Sequence, residues 1–585
     1  MLVYGDPSFD SDVSQMLGRI RRRLAESQLE KAEATSRLDS IRALLIEAGQ
    51  LEQAAVDAFD DRRVSGPVEN LTDCAANAFL LQWHACSGKG GPKRQDIGLD
   101  KIAAALDAMG NLPTGKLTIK IPEGFAFYCL YPEQYIVAGR QWMADNQPLK
   151  PGPAVVVGIR SIGTTLSAVV AAALAEAGWR VHRRTVRPRG HPFNREVAID
   201  KRHVRDAVCA IVVDEGPGLS GSSMAAAAAA LARCGIDPGR ISFFPGHANL
   251  PAQSVSDEVH GWWHRTRRHI VSASDLRWGG KSLSETLGDA TCAAFAGDGA
   301  IEAVVDLSGG LWRQFLYSHP AHWPAVCAPF ERAKYRCVMR SGRSVLWKFA
   351  GLGTSDAYIS RLRQAASRGW TVLPAATAMG FVALPWIDGR PLQAKDAAPD
   401  VLAQIGGYIK SAALPALDAD AMRSGVQRLG EMLYWNTREA LGEEHAHRAR
   451  ALGHFEIDPA EIGAYGDGRL APYEWLRTAS GQLLKTDAAG HEADHTLVGR
   501  QSLIWDIAGA VIEWQLDGAA SASLLESMGI RVRPDILRFY LAAYAAFRIG
   551  QCTLCGQTTP DSDEHIRLSG AVQTYRRQLL GILDQ

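Results

Sequence analysis

The chain holds 585 residues, beyond the roughly 250–300 at which a single core stops growing, so several domains are expected. Its 63 basic residues balance its 63 acidic ones, which excludes a global field for nucleic acid or an anionic membrane. A hydrophobic share of 47% with 22% charged residues is that of an ordinary soluble globular protein.

The opening MLVYGDPSFDSD has neither a basic start nor an apolar core, so no signal peptide is expected there. Met224–Ala232, the longest alanine-rich run, is about half the length of a membrane span. The ten cysteines are scattered, which fits reduced thiols and a cytoplasmic protein. Cys552 and Cys555 lack a second pair at zinc spacing and read as helix-end thiols. No membrane and no nucleic-acid partner are expected.

Along the chain, Val13, Met16, Leu17, Ile20 and Leu24 recur at helical spacing, as do Leu38, Ile41, Leu44, Leu45 and Leu51. The spacing predicts one long helix or a helical hairpin that caps the next domain or pairs subunits, so a homodimer is possible. Ser87–Arg94 (SGKGGPKR) lacks P-loop spacing and a feeding strand and reads as a loop. From Ala154 short apolar strands alternate with helices. Strands are expected at Ala154–Ile159, Arg180–Thr185, Ala207–Val213 and Ile241–Phe244, with helices at Leu166–Ala177 and Met224–Cys234. This is the signature of a parallel sheet covered on both faces, an α/β fold. His260–His269 is basic and tryptophan-rich and reads as a solvated helix with a buried tryptophan face. Past Phe330 an antiparallel pair, Tyr335–Arg340 and Ser344–Phe349, turns at Ser341–Gly342, and mostly helical sequence follows. The expected division is a helical region at 1–110, a sheet domain at 111–250, a connection at 251–329 and a second α+β domain at 330–585.

Two loops leave strand ends in the sheet domain, where parallel sheets bind ligands. Arg160-Ser161-Ile162-Gly163-Thr164-Thr165 offers small residues and backbone N–H groups at a helix start, which suits an anion. Ile211-Val212-Val213 delivers two adjacent carboxylates, Asp214 and Glu215, followed by the turn from Gly216 to Ser223. Carboxylates can accept hydrogen bonds from a ribose diol, while N–H and hydroxyl groups surround a phosphate.

These residues, within about 122–247, resemble a type I phosphoribosyltransferase domain. The resemblance implies that Asp214 and Glu215 hold ribose hydroxyls, with Asp214 near Mg2+. Gly218, Ser220, Gly221, Ser222 and Ser223 would hold the 5-phosphate, and Arg160, Ser161, Gly163 and Thr164 the pyrophosphate. It also implies a mobile basic loop that covers the departing pyrophosphate, where this chain has Arg187, Arg189, His191 and Arg195. The acidic loop is one residue longer than the family's pattern, with Gly216-Pro217-Gly218 where a bulkier residue is usual. Upstream, the aromatic stretch Pro122–Tyr135 either stacks on an acceptor ring or packs on the sheet.

In the last domain, Lys348 stands on an apolar strand and Phe381–Leu392 reads as a buried strand leading to a turn. This order resembles the small lobe and hinge of kinase-like, aminoglycoside phosphotransferase-like enzymes. The resemblance implies that Lys348 meets ATP phosphates, that Leu384–Ile387 meets the adenine, and that Asp487 binds metal. It also makes Asp506 a structural aspartate. Asp467 lies in the expected catalytic segment, but Pro472 stands five residues on, where an asparagine is usual. With Glu474 in that role, Arg469 would occupy the catalytic position. His491-Glu492-Ala493-Asp494-His495 matches the zinc-protease pattern, but the bracketing glycines leave too short a helix for it, so the histidines are expected near the kinase-like metal site or on a polar loop.

The combined expectation is Mg2+-dependent transfer of ribose 5-phosphate from phosphoribosyl diphosphate to a small-molecule acceptor, within nucleotide metabolism. The alternatives are a non-catalytic nucleotide sensor on a pseudokinase scaffold and a phosphotransferase acting through the C-terminal half. An ordinary Rossmann-like sheet domain is the plain alternative for 111–250.

Overall fold

The computed structural model describes the chain apart from residues 29–33, 60, 88–97, 110–112, 114, 147–149, 219, 253–254, 354, 414–418, 456–465, 492–493 and 560. The glycine- and lysine-rich loop at Ser87–Arg94 falls almost wholly outside the described residues.

The chain begins with strand β1 (Ser8–Asp12), which pairs antiparallel with the later β2 (Lys116–Lys120). Between them run α1 (Val13–Gln28), α2 (Ala34–Ala58), α3 (Arg62–Cys86) and α4 (Leu99–Asp107). The helical periodicity read from Val13–Leu51 therefore belongs to two helices, and their apolar stripes are buried. Short α5 (Glu123–Ala126) and α6 (Pro132–Asp145) lead into the parallel sheet.

That sheet comprises β3 (Pro153–Ile159), β4 (Arg180–Val186), β7 (Cys209–Val213), β8 (Ile241–Phe244) and β9 (Arg267–Arg268), in the order β4-β3-β7-β8-β9. Every neighbouring pair in it is parallel. Helices α7 (Ile162–Glu176), α8 (Ser222–Arg233) and α9 (Asp257–Arg265) connect the strands, and a small hairpin, β5 (Arg189–His191) with β6 (Asn194–Glu196), projects between β4 and β7. The central strands β3 and β7 are buried on both faces. One face belongs to the core that also holds α1–α7, and the other to the core of α8 and α9. As expected, Trp262 and Trp263 form the buried face of α9. The N-terminal helices cap this sheet. Arg183 on β4 forms a buried ion pair with Glu52 of α2 at 2.8 Å and a second pair with the half-exposed Asp73 of α3 at 2.6 Å.

After α10 (Leu283–Ala294) comes a second sheet, antiparallel, built from β10 (Ile301–Asp306), β11 (Lys334–Met339), β12 (Ser344–Phe349), β13 (Ala376–Ala378) and β14 (Phe381–Pro385). Its order is β10-β11-β12-β14-β13, with α12 (Ser355–Ser367) inserted after β12. The sheet thus takes its first strand from the stretch expected only to connect domains. The β11–β12 turn closes through Gly342, whose φ of 87° suits a residue without Cβ. Beyond β14 lie β15 (Arg390–Pro391), α13 (Pro399–Ala412), α14 (Ala419–Leu441), α15 (Glu443–Ala451), the strands β16 (Trp475–Arg477) and β17 (Leu483–Lys485), α16 (Leu503–Glu513), α17 (Gly518–Met528), α18 (Pro534–Thr558) and α19 (Ser562–Leu583). Cys552 and Cys555 sit buried near the end of α18. Among the described residues no helix is long and apolar enough to cross a membrane.

Candidate functional sites

The strand order of the parallel sheet reverses between β3 and β7, so their C-terminal ends splay apart into the crevice where such sheets bind ligands. Asp214 and Glu215 stand at that exit. The Gly124 N–H donates to Glu215 Oε2 at 2.5 Å, and the Tyr135 hydroxyl donates to the Asp214 carbonyl at 2.7 Å. Among the described residues neither carboxyl has an ion pair. Burial pushes Asp214 up to about 7. Burial, joined by the charge of Asp214, pushes Glu215 up to about 8. Glu123 on α5 is raised well above the ordinary range by burial and by Glu215, so three buried carboxyls crowd one another here.

The first loop is held in a costly conformation. Ser161 has φ 126°, far from the regions a residue with Cβ prefers. A Cβ on Gly158 would collide with the Gly163 carbonyl, and one on Gly163 would lie 2.7 Å from the Val213 carbonyl. These two glycines let the start of α7 press against β3 and β7. The Thr164 Oγ1 is buried without a hydrogen-bond partner.

The arginines sit differently from the mobile-loop expectation. Arg160 Nη1 pairs with Asp57 of α2 at 2.9 Å, and Arg187 pairs with the same carboxylate while donating to the Arg160 carbonyl at 2.9 Å. Arg187 is thereby tied to the N-terminal helices. Arg189 and His191 lie on the exposed β5–β6 hairpin. That hairpin reaches the second loop, because the Ser222 hydroxyl donates to the Pro192 carbonyl at 2.6 Å. Gly218 and Gly221 take φ near 60°, and the Gly221 carbonyl accepts from Trp263 Nε1 at 2.9 Å. Ser220 and Ser222 hydroxyls lie 3.0 Å apart, and Ser223 is in the first turn of α8. A helix start of this kind offers N–H donors to an anion.

A second site lies between the antiparallel sheet and the helices behind it, in a cavity of about 190 Å³. Strand alternation builds it. Val345, Trp347 and Phe349 of β12 enter the large core, which turns Leu346 and Lys348 toward the cleft. Lys348 forms an ion pair with Asp487, which follows β17 on the opposite wall. Burial lowers the lysine's proton affinity, and Asp487 restores part of it. Burial works against Asp487 as an anion, yet Lys348 and His491 hold its carboxyl well below the ordinary range. Leu384, Pro385, Trp386 and Ile387 form another wall.

Below the cleft, Asp506 grips the loop that carries Asp467. One carboxylate oxygen accepts the Asp467 N–H and the other the Gly468 N–H, both at 2.7 Å. A Cβ on Gly466 would collide with that carboxylate. Asp467 itself is buried and engaged by Lys485 at 2.8 Å, His491 at 2.9 Å and the Tyr408 hydroxyl at 2.9 Å. Burial raises its proton affinity, but Lys485 and His491 outweigh burial and hold it at about 2. His491 reaches Asp487 through its other nitrogen at 3.1 Å, so both ring nitrogens face carboxylates and the ring is favoured as imidazolium. Glu474 is bound to Lys485 at 3.1 Å and lies 3.8 Å from Arg469. Arg469 and Glu474 line the cleft; Asp467 lines a smaller pocket beside Arg361 and Tyr408.

His491 and His495 do not share a helix. His495 packs between Tyr4 and Tyr128 and is pushed down to about 4 by burial, so it is neutral at physiological pH. Of the aromatic stretch, Phe127 lines this cleft, whereas Tyr131 and Tyr135 are buried against the cores. Helix α5 thus forms a wall shared by both sites, with Gly124 on Glu215 and Phe127 at the cleft. Sequence reasoning missed Asp57 and Glu123 as parts of these sites, because the groups they meet, Arg160 and Arg187 for Asp57 and Glu215 for Glu123, lie far away in the chain. His491, marked in the sequence by the histidine pattern, stands beside Asp487, four residues before it.

No protein-family model matches this chain, and no curated protein does. Among solved structures it is similar to choline kinase LicA from Streptococcus pneumoniae, at 13% identity over 42% of this chain and 89% of that one, with a TM-score of 0.30. It is also similar to a spectinomycin phosphotransferase in complex with ADP and spectinomycin, at 13% identity, 49% and 93% coverage and a TM-score of 0.33. A type I macrolide 2'-phosphotransferase gives 12% identity, 50% and 97% coverage and a TM-score of 0.32. Likeness at this level carries no residue role from those proteins to this chain.

Proposed function

We propose that the cleft between the antiparallel sheet and the C-terminal helices binds Mg2+-ATP and transfers its terminal phosphoryl group to a small-molecule acceptor. The observation that carries this reading is the Lys348–Asp487 ion pair, which spans the cleft from wall to wall. A lysine held on a strand and an aspartate held opposite are what a triphosphate and its metal require. The residues fit Mg2+. Among the described residues no three His, Cys, Asp or Glu converge to hold a metal alone, but Mg2+ in such sites uses one or two carboxylates plus phosphate oxygens. Asp487, with its carboxyl strongly favoured as the anion, would hold it, and the metal would supply charge neutralisation along the phosphates.

The chain's own residues supply the rest. The Leu384–Ile387 wall packs a base ring, and Lys348 orients the phosphates. Asp467, ionised and joined to the cleft through His491, lines the smaller pocket and would accept the hydroxyl proton of an acceptor that enters from there, once Lys485 or Tyr408 yields its place. Mixing the full chain with Mg2+-ATP and a panel of amino-alcohol and sugar acceptors should release ADP. Lys348→Met and Asp487→Asn should each abolish that release; ADP formation that survives both changes would refute the reading.

A second reading concerns the parallel sheet and rests on the unpaired carboxyls of Asp214 and Glu215 at the strand reversal. There the chain would bind phosphoribosyl diphosphate, with the ribose diol on the two carboxyls, the 5-phosphate at Ser220–Ser223 and the pyrophosphate at Arg160–Thr164. The Asp214 carboxylate, which has no ion pair among the described residues, would offer hard oxygen donors to Mg2+. Transfer of the ribose 5-phosphate would release pyrophosphate, and an Asp214→Asn, Glu215→Gln chain should release none.

A further inference from the structure

A glycine-rich loop covers the phosphates in many nucleotide-dependent transferases. This chain builds that roof in another way. β10 and β11 stay paired up to Asp306↔Tyr335, and residues 307–333 leave the sheet between them as a strap. The strap is fastened to the far side of the cleft. Arg313 pairs with buried Glu564 of α19 at 2.8 Å, and the other oxygen of Glu564 accepts the Val326 N–H at 2.7 Å. The strap then returns to β11 through Arg332, which lines the cleft.

Arg332 differs from the other lysines and arginines lining that cleft. Lys334 has Glu331 at 3.3 Å, Lys348 has Asp487, Arg469 has Glu474 at 3.8 Å, and Arg548 has Glu513 at 2.9 Å. Among the described residues Arg332 has no carboxylate. Its Nη1 donates to the Ala126 and Phe349 carbonyls at 3.1 and 3.3 Å, and its guanidinium lies over the Phe127 and Tyr358 rings. The same Tyr358 ring faces Lys348 Nζ at 5.7 Å, which sets the two cations side by side. Rings and carbonyls fix the guanidinium in place without a counter-charge, and among the described residues no acceptor meets Nε or Nη2. A half-desolvated cation of this kind calls for an anion, and its planar fork matches phosphate oxygens.

We propose that Arg332 is a phosphate-binding residue, gripping the nucleotide's phosphate chain beside Lys348 where a glycine-rich loop would otherwise lie. This rests on the nucleotide reading of the cleft. The test is calorimetric titration of the full chain and Arg332→Gln with Mg2+-ATP, adenosine and tripolyphosphate. Arg332→Gln is expected to weaken ATP and tripolyphosphate by roughly 10- to 100-fold. Adenosine affinity stays unchanged, and Arg332→Lys recovers part of the loss. Unchanged ATP affinity, or equal losses for ATP and adenosine, would overturn the assignment while leaving the nucleotide reading in place. Arg332-dependent binding of tripolyphosphate, without response to adenosine or ATP, would uphold the anion site and defeat the nucleotide reading. No binding of any of the three by the unaltered chain would end both. If Arg332→Gln fails to fold, phenylglyoxal labelling of the unaltered chain decides. Tripolyphosphate should protect Arg332, and labelling at the same rate with and without it rejects the site.

Discussion

Lys348 is nearly inaccessible, and its charge persists there because Asp487 faces it. Lys348→Met would leave Asp487 with His491 and the more distant charge of Lys485 as its counter-charges. We expect a loss of roughly 3 kcal/mol, the lower end for breaking a buried pair from one side, measurable by urea denaturation. The acidic pair of the parallel sheet gives the opposite pH signature. Asp214 and Glu215 bind protons more tightly folded, at about 7 and about 8, than at their ordinary 3.8 and 4.5. Their cost to stability is therefore absent below about pH 4 and grows as pH rises through 7 and 8. Urea midpoints of the unaltered chain should fall relative to those of Asp214→Asn, Glu215→Gln between pH 5 and pH 9. Midpoints that stay parallel would show that the carboxyls are not buried together. Asp214 and Glu215 stood out in the sequence as adjacent carboxylates at the exit of an apolar strand, whereas Lys348, Asp487 and Asp506 were singled out through the kinase-like resemblance. Asp57 and Arg332 were not, because their roles come from partners that only the tertiary fold brings near.

Among the elements, the tightest packing is where β3, β7 and the start of α7 meet. Gly158→Ala would drive a Cβ into the Gly163 carbonyl, which cannot yield as a flexible side chain can. A cost of about 3 kcal/mol is expected, at the upper end for overpacking, with loss of ligand-induced stabilisation at the neighbouring loop. An unchanged melting temperature would contradict the close approach. The strands β3, β4, β7 and β8 were read from sequence to within two residues, since burial leaves apolar runs such as Ala210–Val213, whereas the exposed, basic β9 fell inside the stretch His260–His269 read as helix. β10 escaped notice for the converse reason. It is an edge strand, half-exposed along its length, and its sequence Ile301–Asp306 shows neither a clean run nor a clean alternation. Helix α2 was visible as a periodic stripe, but its docking on β4 was not, because the Arg183–Glu52 pair joins residues 131 positions apart.

Across the whole molecule, the division into successive domains describes the chain less well than its shared walls do. The first residues dock on the far end of the chain. Leu2 exchanges hydrogen bonds with buried Asn436, Val3 joins the C-terminal core, and the Gly5 N–H donates to the His495 carbonyl at 2.8 Å. Deleting residues 1–5 would strip buried Asn436 of both its hydrogen bonds to Leu2, leaving its bond to the Ala546 carbonyl, so the C-terminal helices should unfold about 2–3 kcal/mol sooner in urea. An unshifted transition would show that the segment contributes nothing. Such a contact between opposite ends is invisible to periodicity and spacing. The central claim, that the cleft is a nucleotide site built on Lys348 and Asp487, is most directly tested by titrating the full chain with ATP, with and without Mg2+, beside Lys348→Met. The account predicts saturable one-to-one binding that needs Mg2+ and falls at least tenfold on losing the lysine. Binding indifferent to both, or none at all, would contradict it.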